Sequence, residues 1–259
     1  MTDYIDVLAR VAQATVESEY YGAAKPGKNL YLSLKEAISL CKRTPVISEI
    51  KVASPSAGTI RQNVNASEIA KAMERGGAVA LSVITEPKQF GGSLEALSKA
   101  RQATKIPMLM KDIVISPAQV YAARKMGADA ILLIQALFDR GYCDRCLSEM
   151  IAGAHSLGLE VLLETHTETE FREAVQTEAD LVGINNRDLR TLKTNLNVTK
   201  QILEKNDSAG KIVVSESGIK KQDDIRFLRD SGARAFLIGS AVMSAADIEK
   251  KVEEFVKTE

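Results

Sequence analysis

Val46-Ile47-Ser48-Glu49-Ile50-Lys51 runs straight into Val52-Ala53-Ser54-Pro55-Ser56-Ala57-Gly58 and reads as a strand ending in a loop. Val46, Ile47 and Ile50 give the strand β-branched character, yet Glu49 and Lys51 stand near its C-terminal end. Being i and i+2, the two charged residues point to the same face of the pleat. An acid and a base on a mostly apolar strand are costly to bury unless they are paired or used. The plain alternative is a surface salt pair on an edge strand. What counts against it is that the same arrangement recurs along the chain.

After Gly58 the pattern is repetitive. Helices are expected from Asn65-Ala66-Ser67-Glu68 to Gly76-Gly77, over 93–104, from Ser116-Pro117 to Gly127, and over 143–157, 168–176, 197–205 and 222–231, with a last one from 246. Pro117 suits a first helical position, where its missing N–H is not needed. Between the helices lie apolar strands at 79–86, 107–112, 130–134, 160–164, 181–185, 212–216 and 235–240. Short apolar strands alternating with helices imply right-handed β-α-β units and a parallel sheet buried on both faces. With the first strand there are eight units at intervals of roughly 20–35 residues, which predicts an α/β chain closed into a single (β/α)8 barrel. An open doubly wound sheet would alternate too, but no strand opens a G-x-G-x-x-G helix entry, and eight is the closing number.

Upstream, Tyr4, Ile5, Leu8, Val11, Ala12 and Val16 fall at helical spacing. A polar linker, Gly22-Ala23-Ala24-Lys25-Pro26-Gly27-Lys28, precedes Ser33-Leu34-Lys35-Glu36, which has capping-box spacing. Residues 1–45 therefore read as an N-terminal helical extension packed on the barrel of 46–259, one domain overall.

Composition narrows the partners. Lys+Arg and Asp+Glu balance at 34 each among 259 residues, so no global field draws the chain to nucleic acid or a membrane surface. Without Trp, and with aromatic residues at 5%, there is little to stack bases on. The start, Met1-Thr2-Asp3-Tyr4, lacks a basic-then-apolar signal pattern, and no apolar run approaches a membrane span. A cytoplasmic protein is expected. Cys143-Asp144-Arg145-Cys146 has C-x-x-C spacing in what reads as the first turn of a helix. No second pair accompanies it and neither His155 nor His166 is placed as a zinc partner, so partly buried thiols are expected.

In a barrel the chemistry lies at the C-terminal ends of the strands. Here those ends carry Glu49 and Lys51, Thr85-Glu86, Lys111-Asp112, Glu164, Asn185-Asn186-Arg187-Asp188, Glu216-Ser217-Gly218 and Gly239-Ser240. Any one of them could be a solvated loop residue. As a set they mark a polar pocket over an apolar plug. Ser217-Gly218 and Gly239-Ser240, after the last two strands, offer backbone N–H groups and hydroxyls where this fold often holds a phosphate. The other groups suit carbon chemistry: Lys51 and Lys111 can donate protons, while Glu49, Glu164 and Glu216 can accept them or hold substrate hydroxyls. At this level a lysine Schiff-base aldolase competes.

Val46–Gly58 (VISEIKVASPSAG), Ser82–Leu94 (SVITEPKQFGGSL), Pro107–Asp112 (PMLMKD), Gly183–Leu189 (GINNRDL), Ser215–Ile219 (SESGI) and Phe236–Met243 (FLIGSAVM) resemble the indole-3-glycerol phosphate synthase family, in the right order. The resemblance implies ring closure of 1-(2-carboxyphenylamino)-1-deoxyribulose 5-phosphate with release of CO₂ and water, and no cofactor or metal. It implies Lys111 as the general acid on the ketone oxygen and Glu164 as acid–base partner in dehydration, assisted by Lys51. Glu49, Asn185 and Glu216 would orient hydroxyls and these side chains. Ser217, Gly218, Gly239 and Ser240, with Lys51, Ser54 and Ser56, would hold the phosphate. The family often carries basic residues where this chain has Val52 and Ala57, which leaves Lys51 and Arg187 to supply the positive charge. The competing readings are a sugar-phosphate isomerase barrel and a non-catalytic phosphate-ligand binding barrel. A monomer is expected, with a weak homo-oligomer as the alternative.

Overall fold

Runs such as Ala130-Ile131-Leu132-Leu133-Ile134 have no polar face, and every residue of that run is buried. Such a strand is stable only between two apolar layers, and a ring of parallel strands inside a ring of helices supplies both. The computed structural model describes residues 3–24, 30–55, 58–62 and 64–259. Among these, eight parallel strands close into a barrel: β1 (Val46–Ile50), β2 (Ala80–Ile84), β3 (Met108–Lys111), β4 (Ala130–Ile134), β5 (Glu160–Thr165), β6 (Leu181–Asn185), β7 (Ile212–Glu216) and β8 (Ala235–Ile238). Each pairs with its neighbours in sequence, and β8 closes on β1 through Val46–Phe236, Ile47–Leu237 and Ser48–Ile238. The expected barrel is present.

Alternation along the strands sorts the core. Ile47, Leu109, Leu132, Leu162, Leu181 and Leu237 share one apolar cluster that fills the ring. Val46, Ile50, Leu81, Val83, Met110 and Ile131 belong to a second cluster under the surrounding helices. The N-terminal extension serves the first cluster from both ends of the barrel. Helix α1 (Tyr4–Glu17) contributes Ile5 and Leu8 to it, and Tyr4 donates its backbone N–H to Leu189 O, at the mouth, at 3.1 Å. Helix α2 (Leu34–Leu40) contributes Leu34 and Ile38 at the opposite end, where Lys35 N–H donates to the side chain of Glu160, first residue of β5, at 2.9 Å.

Several boundaries differ from the sequence reading. The strands expected at 79–86, 107–112 and 235–240 stop earlier: Thr85, Glu86 and Asp112 lie in the loops that follow, and Ser240 opens a helix. Two short helices, Gln135–Asp139 and Ser240–Met243, directly follow β4 and β8 and were not anticipated. They are too short to show helical periodicity. Cys143 precedes the helix Leu147–Ser156 rather than lying in its first turn, and Cys146 is its N-cap residue. Ser33 does cap α2 by accepting the Glu36 N–H at 2.9 Å, and its hydroxyl donates to the Glu160 carboxylate, but the capping box is incomplete, because the Glu36 side chain does not accept the Ser33 backbone N–H.

Candidate active site

The C-terminal ends of the strands open into a cavity of about 370 Å³, within the usual range for a small-molecule site. Strand register decides which side chains meet in it. Asn185 pairs with Glu216, and Glu164 pairs with Gly183, so two carboxylates and an amide gather on three successive strands. Lys111, last residue of β3, crosses the mouth to reach them. Its Nζ lies 2.9 Å from Glu164 Oε2 and 3.3 Å from Glu216 Oε2. On β1 the pleat does what the i, i+2 spacing predicts: Lys51 Nζ is 2.9 Å from Glu49 Oε1.

These groups are buried enough to perturb one another. Burial works against the Lys111 ammonium, but Glu164, Glu216 and Glu49 outweigh it and raise its pKa above the ordinary lysine value. Burial would likewise raise Glu164, yet Lys111 and His166 hold its carboxyl down at about 2. Glu216 goes the other way. Burial, together with repulsion from Glu164, pushes it up to about 8 in spite of Lys111. The site therefore holds a proton-rich lysine, an ionised carboxylate and a carboxyl that keeps its proton near neutrality. Groups driven apart in this way are suited to acid and base roles.

Two glycines make the packing possible. A Cβ on Gly183 would lie 2.3 Å from Glu216 Oε1, and one on Gly239 would lie 2.4 Å from Glu49 Oε1 and 3.1 Å from Lys51 Nζ. Gly239 therefore brings the loop after β8 against the Lys51 ammonium. On the neighbouring loop Ser217 has φ 65° and Gly218 φ 89°. A serine in the left-handed region costs energy and tends to persist where function needs the geometry. Ser217, Gly218, Gly239 and Ser240 all line the cavity, as do Ser54 and Arg187. The buried Ser54 hydroxyl has no hydrogen-bond partner among the described residues. Arg187 donates from Nη1 to Leu192 O at 2.7 Å. Ser56 and Ala57 lie outside the described residues.

Other polar residues at the strand ends serve the scaffold. The Glu86 carboxylate accepts the backbone N–H groups of Lys88, Gln89 and Phe90, at 2.8, 2.7 and 2.9 Å, and so shapes the loop after β2. Asn186 is buried, donating to Ser215 Oγ and accepting from Thr199. Asp112 accepts the Tyr21 hydroxyl, at 3.0 Å from each carboxylate oxygen. The sequence reading missed the apolar wall of the cavity, where Tyr4, Leu8, Phe90, Leu132 and Leu237 stand. Leu8, Leu132 and Leu237 sit at ordinary core positions, and only closure of the ring directs them into the cavity.

A cavity lined by lysines, glycine-bearing loops and apolar side chains together suits a phosphorylated molecule with an aromatic part. Residues 5–255 match the family model described as indole-3-glycerol phosphate synthase. The chain belongs to the indole-3-glycerol phosphate synthase family. Proteins named indole-3-glycerol phosphate synthase are 42% identical in Neisseria gonorrhoeae, over 97% of this chain and 98% of that protein. The relative of that name in Aquifex aeolicus is 39% identical over 87% of this chain and 86% of its own. Membership makes the chain a carboxy-lyase, as the family is. Solved barrels share the fold at lower identity. Thiamine phosphate pyrophosphorylase from Pyrococcus furiosus superposes with TM-score 0.61 at 20% identity, over 86% of this chain and 96% of that one. N-acetylmannosamine-6-phosphate 2-epimerase from Clostridium perfringens gives 0.61 at 14%, over 83% and 93%. Within the indole-3-glycerol phosphate synthase family, the quoted motifs and the cavity coincide in this chain: strand ends carry the motifs, and strand ends build the site. No helix among the described residues is long and apolar enough to cross a membrane.

Proposed function

We propose that this cavity closes the indole ring of 1-(2-carboxyphenylamino)-1-deoxyribulose 5-phosphate, and that the residues described above carry the reaction. The phosphate is held by Ser217, Gly218, Gly239 and Ser240 with Lys51 beside them, and Ser54 and Arg187 add contacts at the mouth. The benzoate ring lies against Phe90, Leu132 and Leu237, which exclude water from it. Lys111 gives a proton to the ketone oxygen as the carboxyl-bearing ring carbon attacks the ketone carbon. Loss of CO₂ restores the aromatic ring and leaves a tertiary hydroxyl. That hydroxyl departs as water with a proton from Lys51, while Glu164 takes the proton from the neighbouring carbon. Glu49 aims Lys51, Glu216 aims Lys111, and Asn185 orients Glu164 and the substrate hydroxyls.

The observation that carries this reading is the Lys111 ammonium, 2.9 Å from Glu164 and 3.3 Å from Glu216, in a cavity that Phe90, Leu132 and Leu237 also line. An acid so placed meets a ketone only when the phosphate end is seated by the loops after β7 and β8. The test is to mix the protein with the carboxyphenylamino substrate and follow indole fluorescence and released CO₂ together. Equal amounts of both products support the reading. Absence of either one overturns it.

We also propose that the chain works as a monomer in the cytoplasm, where a phosphorylated precursor is retained. Among the described residues, the large apolar side chains left exposed are Tyr31, Leu40 and Tyr121. The Tyr31 ring is covered by the Arg124 guanidinium at 3.7 Å. Light scattering at the assay concentration tests this, and a dimer mass overturns it.

A further inference from the structure

Glu164 has two oxygens and faces two bases. Oε2 meets Lys111, and Oε1 lies 3.3 Å from Nε2 of His166, the residue just past the end of β5. The His166 side chain is 10% exposed, and His166 is not among the residues that line the cavity. On the far edge of the ring, Nδ1 is 3.7 Å from Glu170 Oε2. Glu170 is itself fixed: Oε2 accepts the His166 backbone N–H at 2.7 Å, and its own N–H donates to Thr167 Oγ1 at 3.2 Å. The sequence E-x-H-x-x-x-E thus places an imidazole between a catalytic carboxylate and an anchoring one. Neither ring nitrogen has an aligned hydrogen-bond partner among the described residues, and the two carboxylate contacts become ion pairs when the ring carries its second proton. Such contacts are strong where water is scarce.

Resting on the function proposed above, we propose that His166 is a positioning residue, which holds Glu164 at Oε1 and sets by its charge how readily Glu164 takes up a proton, with Glu170 anchoring the ring from behind.

The groups around the imidazole come from several elements. Glu164 lies on β5, Glu170 on the following helix (Glu168–Ala174), and Asp188, whose carboxyl feels His166, on the loop after β6. Asp139, with Arg140 beside it, faces Glu170 from the helix Gln135–Asp139, and Lys111 acts from beyond Glu164. The effect on Glu164 is visible, since His166 is among the charges that keep its carboxyl ionised. A base held too strongly ionised accepts protons poorly, and one released from its second partner swings out of line. His166 supplies the intermediate setting by its place, 3.3 Å from Oε1 while Lys111 takes Oε2.

Coupling of this kind is reciprocal, and the chain has only two histidines, so imidazole proton NMR can follow each. In Glu164→Gln the titration midpoint of His166 should move down by about half a pH unit or more, and that of His155 should stay in place. In His166→Gln, kcat for indole formation should fall about tenfold, with an altered acid limb and unchanged affinity for inorganic phosphate. His166→Asn serves as the second neutral variant should Gln not fold. An unmoved His166 midpoint overturns the inference, as does an unchanged kcat with an unchanged pH profile. Were the unaltered protein to give no indole, the proposed function would fall, while the NMR titration would still decide the coupling.

Discussion

Gly183 and Glu216 occupy one space: a Cβ on Gly183 would stand 2.3 Å from Glu216 Oε1. Strand β6 lacks a side chain here because the carboxyl of β7 fills the position. Gly183→Ala should displace the tip of Glu216, a flexible end, and leave the strand backbone in place. The expected result is a kcat loss of about tenfold or more, since a small misplacement at a reacting centre is costly, with a stability loss of only about 1–2 kcal/mol. Steady-state kinetics and urea unfolding check this. An unchanged kcat would detach Glu216 from the positioning of Lys111.

Lys111→Ala removes the proposed acid and also the charge that separates Glu164 from Glu216. One acid–base group contributes about 10²–10⁴ in rate, so kcat should fall at least about a hundredfold. Inorganic phosphate should bind as before, because the groups proposed to hold it are those of Ser217, Gly218, Gly239 and Ser240 with Lys51, and Lys111 is not among them. Product fluorescence and calorimetry with phosphate separate the two effects. A variant with full kcat would remove Lys111 from its role.

The ring of strands was readable from Val46 to Ser240 because buried parallel strands are continuous apolar runs, and such runs need no knowledge of their partners. The Glu49–Lys51 pair was readable from the pleat alone. The meeting of Lys111 with Glu164 was readable only once closure of the ring was granted, since 53 positions separate them. Other features depend on three dimensions throughout. That Glu86 and Asn186 are scaffold follows from which backbone groups they reach, and a sequence does not show that. The Gly183 and Gly239 approaches belong to residues on neighbouring strands, and the apolar wall shares its residue types with the core. His166 looked like a histidine without zinc partners, and its place between two carboxylates appears only when the turn after β5 is built.

Stability should depend on pH through Glu216. Its pKa in the fold is about 8, above the ordinary 4.5, so the native state holds this proton more tightly than the unfolded chain does. Stability from this group is fully present below about pH 4.5 and is lost as pH rises through 8. Asp112, raised to about 6 chiefly by burial, adds a smaller loss of the same sign at lower pH. Glu164, held at about 2, acts oppositely, and its contribution is lost only in strong acid. Glu216→Gln keeps the shape and removes the titration. Relative to the unaltered protein it should gain on the order of 2 kcal/mol between pH 5 and 9, while kcat falls. Urea unfolding across that range measures it, and parallel pH curves for the two proteins would refute the assignment.

The N-terminal extension should influence the site through Tyr21. Its hydroxyl donates to Asp112, next to Lys111 in sequence, and accepts from Gln119 Nε2 at 3.1 Å. Asp112 also accepts the Thr85 hydroxyl and the Ile113 N–H. Tyr21→Phe removes a donor from a buried carboxyl that titrates near 6. Above that pH the lost bond was made to a charge and is worth about 1.5–3 kcal/mol; below it, to a neutral acid, only about 0.5–1.5 kcal/mol. The variant should therefore lose more stability at pH 8 than at pH 5. With Asp112 less firmly held, the end of β3 loosens and kcat should drop severalfold at pH 8, with little change in phosphate affinity. Equal stability losses at the two pH values would mean that Tyr21 acts through packing alone, and that the extension does not reach Lys111 through this carboxyl.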